Sequence, residues 1–296
     1  MLPSAVPTLL VASNLGNPRG GTEFGPAVLQ SLQFSEWLNQ EHIQLHVVES
    51  LEYLAKSFDA NRATEFFEDH YACMPELLFS AIQHGVPFLV MGGDHSCAVG
   101  SWSGVVDALP VPEEFGLIWV DAHLDSHTFE TTHSGNLHGM PLAMLLGQGN
   151  RRLKAIYPGK CRLKPANVLV IGARSYEDEE RALLERLGVR WIESEYLLNL
   201  ENATEWLNNE VLAHFSHCQY VGMSIDLDAL DPAIAPAVAT PASSGLSDTL
   251  LLALVDIVRS RLPFIGLEIA EFSPRKELEG KTEAVIFNIL KHCFKL

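Results

Sequence analysis

Phe115-Gly116-Leu117-Ile118-Trp119-Val120 runs straight into Asp121-Ala122-His123-Leu124-Asp125. The uncharged run has the length and composition of a strand buried on both faces of a sheet, and it stops abruptly at clustered carboxylates. A second stretch repeats the pattern: Tyr220-Val221-Gly222-Met223-Ser224-Ile225, then Asp226-Leu227-Asp228-Ala229-Leu230-Asp231-Pro232. On an extended backbone alternate residues point the same way, so Asp121, His123 and Asp125 are expected to converge on one point, as are Asp226 and Asp228. So many acids in one place repel one another unless a cation compensates. Carboxylate and imidazole ligands together suit manganese, magnesium or zinc better than a soft metal.

Further apolar runs read as strands near Thr8 to Ala12, His42 to Val47, Pro87 to Met91, Asn167 to Ile171, Val189 to Ile192 and Phe264 to Ile269. Helical periodicity lies between them, in Arg62 to His84, Leu137 to Leu146, Asp178 to Leu187, Thr204 to Ser216 and Ser247 to Leu262, and a last helix is expected over Lys281 to Leu296. Alternating strand and helix predicts an α/β fold, a mostly parallel sheet of eight strands covered on both faces. No linker or repeat divides the chain, so residues 1–296 are expected to form one domain. Gly92-Gly93-Asp94-His95-Ser96, both carboxylate stretches and Glu271 each follow a strand-like run, and in an open parallel sheet the C-terminal strand ends are where ligands bind.

The 37 acids against 20 bases give a net charge of −17, which disfavours nucleic acid and favours a cationic small molecule. Cys73, Cys97, Cys161, Cys218 and Cys293 are scattered and odd in number, as in a reduced compartment. Met1 to Pro7 lack the charged start and apolar stretch of a signal peptide, and no run is long enough to span a membrane. A cytoplasmic protein is expected.

His95, Asp121, His123, Asp125, Asp226 and Asp228 supply two imidazoles and four carboxylates, enough for two metals about 3.5 to 4 Å apart that hold a hydroxide between them. The ordered set Gly-Gly-Asp-His95-Ser, Asp121-Ala-His123-Leu-Asp125, Ser134-Gly-Asn136-Leu-His138-Gly, Ser224-Ile-Asp226-Leu-Asp228-Ala-Leu-Asp231-Pro232 and Glu268-Ile-Ala-Glu271 resembles the ureohydrolase family, and within it the arginases. The resemblance spans Phe88 to Phe272. It implies a three-layer α/β/α arginase-like fold, two Mn²⁺ per chain held by those six residues, and attack of a bridging hydroxide on a guanidinium carbon to give urea and an amine. It further implies that Asp125 takes up the hydroxide's proton, that His138 shuttles it, and that Glu271 accepts two hydrogen bonds from the planar guanidinium. A trimer or hexamer is implied as well.

Substrate choice is a separate question. By the same resemblance the loop after Asp125 contacts the amino-acid end of the substrate, with Ser134 and Asn136 matching the arginase pattern and Thr240 lying beside the substrate. His127 stands where arginases commonly have Asn, His133 where Thr is frequent, and Glu177, or Asp178 beside it, stands where an Asp often contacts the substrate ammonium. Hydrolysis of L-arginine to L-ornithine and urea is the expected activity. Agmatine or another guanidino acid is the alternative substrate, ahead of a single-zinc deacylase or a non-catalytic relative on the same fold.

Overall fold

The apolar runs become one eight-stranded sheet, in a computed structural model that describes residues 5–294. Met1 to Ser4, where a leader was looked for, and Lys295 and Leu296, at the end of the expected last helix, lie outside the described residues. The strands are β1 (Val6–Ser13), β2 (Leu45–Tyr53), β3 (Phe88–Gly92), β4 (Phe115–Val120), β5 (Val168–Ala173), β6 (Arg190–Glu193), β7 (Tyr220–Asp226) and β8 (Phe264–Ala270). Their order across the sheet is β2-β1-β3-β8-β7-β4-β5-β6, and every pair is parallel. Parallel strands need crossover connections, which the helices provide, and these cover both faces.

The helices are α1 (Leu32–Gln40), α2 (Ala60–His84), α3 (Ala98–Ala108), α4 (Pro141–Leu145), α5 (Arg151–Ala155), α6 (Asp178–Leu187), α7 (Ser194–Leu198), α8 (Ala203–His214), α9 (Asp248–Arg261) and α10 (Lys281–Phe294). Alternation along β4 divides the interior. Ile118 and Val120 join a core with Phe34, Val211, Leu254 and Ile289 of α1, α8, α9 and α10. Leu117 and Trp119 join the opposite core with Phe67, Trp102 and Leu145 of α2, α3 and α4. Strands packed on both faces have no solvent side, which is why β3, β4 and β5 are apolar at nearly every position.

Two expectations need correction. The second strand is Leu45–Tyr53 and not His42 to Val47. As an edge strand with no fully buried residue it includes Glu49 and Glu52, so no apolar run marks it. Leu137 to Leu146 is not one helix: a 3-10 turn at Leu137–Gly139 precedes α4, which opens on Pro141, a residue whose missing N–H suits the first position of a helix.

Candidate metal centre and substrate cavity

Strands β3, β8, β7 and β4 are neighbours at the middle of the sheet, and the chemistry-bearing residues leave their C-terminal ends. Val120 pairs with Ile225, so Asp121 and Asp226 emerge side by side, and Asp226 pairs with Ala270, one residue before Glu271. Beyond β3, Gly93 lets the loop pass against β1: a Cβ there would lie 2.0 Å from the Ser13 carbonyl oxygen. Asp94 then caps the next turn by accepting from Ser96 N–H and braces Gly16 N–H with its other oxygen.

Strand alternation is not what gathers Asp121, His123 and Asp125. The strand ends at Val120, and Asp125 has a left-handed backbone with φ 46°. Glu271 is left-handed too, with φ 68°. Such backbone is strained for residues with a Cβ, costs about 1–3 kcal/mol each, and clusters at functional sites.

Two overlapping groups form. His95 Nδ1 lies 3.1 Å from Asp121 Oδ2, 3.1 Å from Asp125 Oδ2 and 3.2 Å from Asp226 Oδ2. His123 Nδ1 lies 3.4 Å from both Asp121 Oδ1 and Asp228 Oδ2. Asp121 therefore belongs to both groups, one oxygen to each. All four aspartates are buried. Burial and the charge of Asp121 push Asp125 up to about 7, and burial with Asp228 and Asp121 pushes Asp226 well above the usual carboxylate range.

The donors around His95 test whether a cation fits. Ser224 Oγ gives its proton to Glu268 Oε2 at 2.6 Å, so His95 Nε2, 2.9 Å from Ser224 Oγ, must be the N–H donor. Nδ1 then faces three carboxylate oxygens with one proton at most, and Asp125 Oδ2 is buried with no hydrogen-bond donor. A divalent cation satisfies all of these oxygens together and takes the Nδ1 lone pair, so the donor set fits a hard or borderline metal. His95, Asp121 and Asp125 on one side and Asp121, His123 and Asp228 on the other are each gathered closely enough to hold an ion.

Sequence reasoning missed the groups behind these ligands. Trp119 stacks on His95 with ring centroids 4.2 Å apart and donates its indole N–H to Asp121 Oδ2 at 2.9 Å. Glu268, paired across the sheet with Ser224, also accepts from Trp102 Nε1 and Ser101 Oγ. Cys97 is buried beside it. Arg174 donates to the carbonyls of Asp228, Ala229 and Leu230 and so holds the turn that carries Asp228. A polar residue inside an apolar strand, such as Ser224 or Glu268, was the available signal.

Glu271 is fully buried, and its Oε1 accepts from His95 N–H at 2.9 Å and faces His138 Nδ1 at 3.1 Å. Only Oε2 is without a donor. Burial would lower His138, but the hydrogen bond to Glu271 together with the charges of Glu271, Asp125 and Asp94 outweighs it and raises the imidazole to about 9. A cavity of about 160 Å³ beside the ligands is lined by His123, Asp125, Asp226, His138, Thr240, His127, His133, Ser134, Glu177 and Glu180. Thr240 donates to Asp228 Oδ2. Of the residues expected to meet substrate, His127, Ser134, Glu177 and Thr240 line this cavity, Asn136 lines an adjoining cleft together with Ser134, and Glu271, held against His95 and His138, lines neither.

The chain is similar to known proteins over nearly its whole length. A family model described as the arginase family matches residues 8–295. An arginase of Bacillus caldovelox is 29% identical over 290 residues, covering 96% of each chain. Arginase-1 of Oryctolagus cuniculus is 32% identical over 280 residues, 88% of this chain and 82% of its own. A crystal structure of the Bacillus subtilis arginase superposes with a TM-score of 0.86 at 28% identity over 99% of both chains.

Proposed function

The chain belongs to the arginase family, and on that premise we propose that it is a binuclear manganese hydrolase of a guanidino compound, with L-arginine as substrate and L-ornithine and urea as products. The observation that carries this reading is the sharing of Asp121 between two histidine–carboxylate groups at the edge of a cavity. His95, Asp121, Asp125 and Asp226 would hold one ion, and Asp121, His123, Asp226 and Asp228 the other. When bound, such a pair neutralises the carboxylates and supplies a nucleophile from water at neutral pH.

The chain's own groups do the rest. Asp125, which lines the cavity beside both groups, accepts the nucleophile's proton. Glu271 Oε2, buried and without a donor, accepts from a guanidinium N–H, while Oε1 keeps His138 protonated. That protonated imidazole lines the cavity and can deliver a proton to the departing amine. The carboxylates that line the cavity favour a planar cation over a neutral amide.

Release of urea from L-arginine by protein reconstituted with Mn²⁺ tests the reading. No urea from arginine, agmatine or any guanidino acid would overturn it. A guanidino acid other than arginine is the second reading, favoured by the contact of His127 with Glu177 at the outer end of the cavity. A single-zinc deacylase would use only one of the two ligand groups, and one zinc per purified chain would support it. We place the protein in the cytoplasm as a trimer or hexamer. No helix among the described residues is long and apolar enough to cross a membrane, and all five cysteines are free. Sedimentation at the mass of one chain would remove the oligomer.

A further inference from the structure

A third group of metal-type donors, His127, Glu177 and Glu180, lines the same cavity and shares no residue with the two groups that Asp121 joins. His127 Nε2 lies 3.0 Å from Glu177 Oε2 and 3.5 Å from Glu180 Oε2, and one donor atom from each residue falls within 4.8 Å of the others. Ligands about 2.0–2.1 Å from a tetrahedral ion stand about 3.3 Å from one another. The two distances from Nε2 bracket that value.

The loop after β4 and the start of α6 hold these donors in place. Ser126 N–H and Glu177 N–H each donate to a different oxygen of the buried Glu180 at 3.1 Å, which fixes its carboxyl beside the ring that follows Ser126. His127 N–H donates to the Gly139 carbonyl, and its Nδ1 lies 3.1 Å from Thr131 Oγ1. When Nδ1 donates to that oxygen, Nε2 turns a lone pair toward the two carboxylates, which is how an outer hydrogen bond prepares a ligating histidine. Without a cation Nε2 must carry the proton instead, one proton facing two acids. Neither Glu177 nor Glu180 is paired with a Lys or Arg among the described residues. Burial pushes Glu180 up to about 8, a strain on the charged form that a bound cation relieves. His133 stands on the same wall, its ring centroid 6.1 Å from that of His127. A group that offers two imidazoles with two carboxylates is richer in nitrogen than either inner group, and nitrogen favours Zn²⁺ over Mn²⁺.

We propose that His127, Glu177 and Glu180 form a further metal site, with His133 as a fourth donor, that takes a borderline divalent cation, Zn²⁺ ahead of Mn²⁺, and that an ion held there closes the cavity to substrate. The closure follows from position, because the three ligands are themselves walls of the cavity that leads to His123, Asp125 and Asp226. The site stands on its own donors. Only the closure rests on the hydrolase reading above.

Equilibrium dialysis of the full chain against Zn²⁺, with zinc counted per chain, tests the site in the natural protein, His127→Asn and Glu177→Gln. Each variant is expected to hold one Zn²⁺ fewer, since losing a ligand should weaken the ion by more than the roughly 100-fold that outer partners can cost. The difference decides, whatever number of ions the inner groups take. The two substitutions lie on separate segments, and circular dichroism of zinc-free protein identifies a variant that fails to fold. Equal zinc counts in the natural protein and a folded variant overturn the site. In urea release by the Mn²⁺-loaded enzyme, added Zn²⁺ should raise KM with kcat unchanged, and its inhibition constant should rise about 100-fold in Glu177→Gln, each protein being compared with itself without zinc. Equal inhibition of both proteins would mean that Zn²⁺ acts by replacing Mn²⁺ at the inner groups, and overturns the closure. Failure of every guanidino compound to yield urea removes the hydrolase reading and the closure with it, while the zinc count still decides the site.

Discussion

The proton on His95 Nε2 goes to Ser224 Oγ, Ser224 donates to Glu268, and Glu268 collects further donors from Ser101 and Trp102. His95, Ser224, Ser101, Trp102 and Glu268 are all fully buried, so the carboxylate fixes the orientation of His95, a candidate ligand that it does not touch. Outer partners of this kind typically hold about 10–100-fold of metal affinity. Glu268→Gln and Ser224→Ala are therefore expected to weaken Mn²⁺ binding by that factor in calorimetric titration, and unchanged affinity in a folded variant would reduce the chain to packing. His138 has a different task. His138→Asn keeps the side chain's size near that of imidazole and removes its proton chemistry, so kcat should fall by about 100-fold or more with Mn²⁺ affinity retained. Equal kcat would exclude His138 as the proton carrier. The clustering of the candidate ligands was legible residue by residue, since they follow their strands in the chain. Ser224 and Glu268 were not given roles, because their contacts run across the sheet and not along it, as does the stacking of Trp119 on His95.

Elements were legible where one physical signal dominated. The uninterrupted apolar runs of β4 and β7 could hardly be anything but buried strands. Helix α3 escaped because Ala98 to Val106 are all buried, leaving no polar face and no 3.6-residue periodicity to detect. Its partner α2 carries His70 into the same interior, where Nε2 lies 3.1 Å from Ser101 Oγ. Burial pushes His70 down to about 3 from the ordinary 6.5. Between those values the unfolded chain takes up a proton that the folded chain refuses. The contribution of this residue is thus complete above about pH 6.5 and is lost as pH falls, at about 1.4 kcal/mol per unit. Unfolding free energies from chemical denaturation at pH 7, 6 and 5 should fall more steeply in the natural protein than in His70→Gln. Parallel slopes would show that the buried ring is not what makes the fold acid-sensitive.

Across the whole molecule, folding brings four aspartates out of water at one place, and the repulsion this leaves should make stability metal-dependent. A ligand bound only by the folded state stabilises by about 2.7 kcal/mol at 100 times its Kd. Chelation should accordingly lower the melting temperature and Mn²⁺ restore it, in excess over Mg²⁺. Melting indifferent to both treatments would count against a metal centre. The sequence by itself determined the strand-and-helix alternation and marked six candidate ligands whose donor atoms suit a hard or borderline metal, since each depends on residue type and on spacing within a few positions. Only the tertiary structure decided that β3, β8, β7 and β4 lie side by side, although they are far apart in the chain, and so which carboxylates share a histidine. It also decided that Asp121 serves both groups and that His127 reaches Glu177 and Glu180 together. Those are distances between segments, set by how the helices pack the sheet from both faces, and no local pattern encodes them.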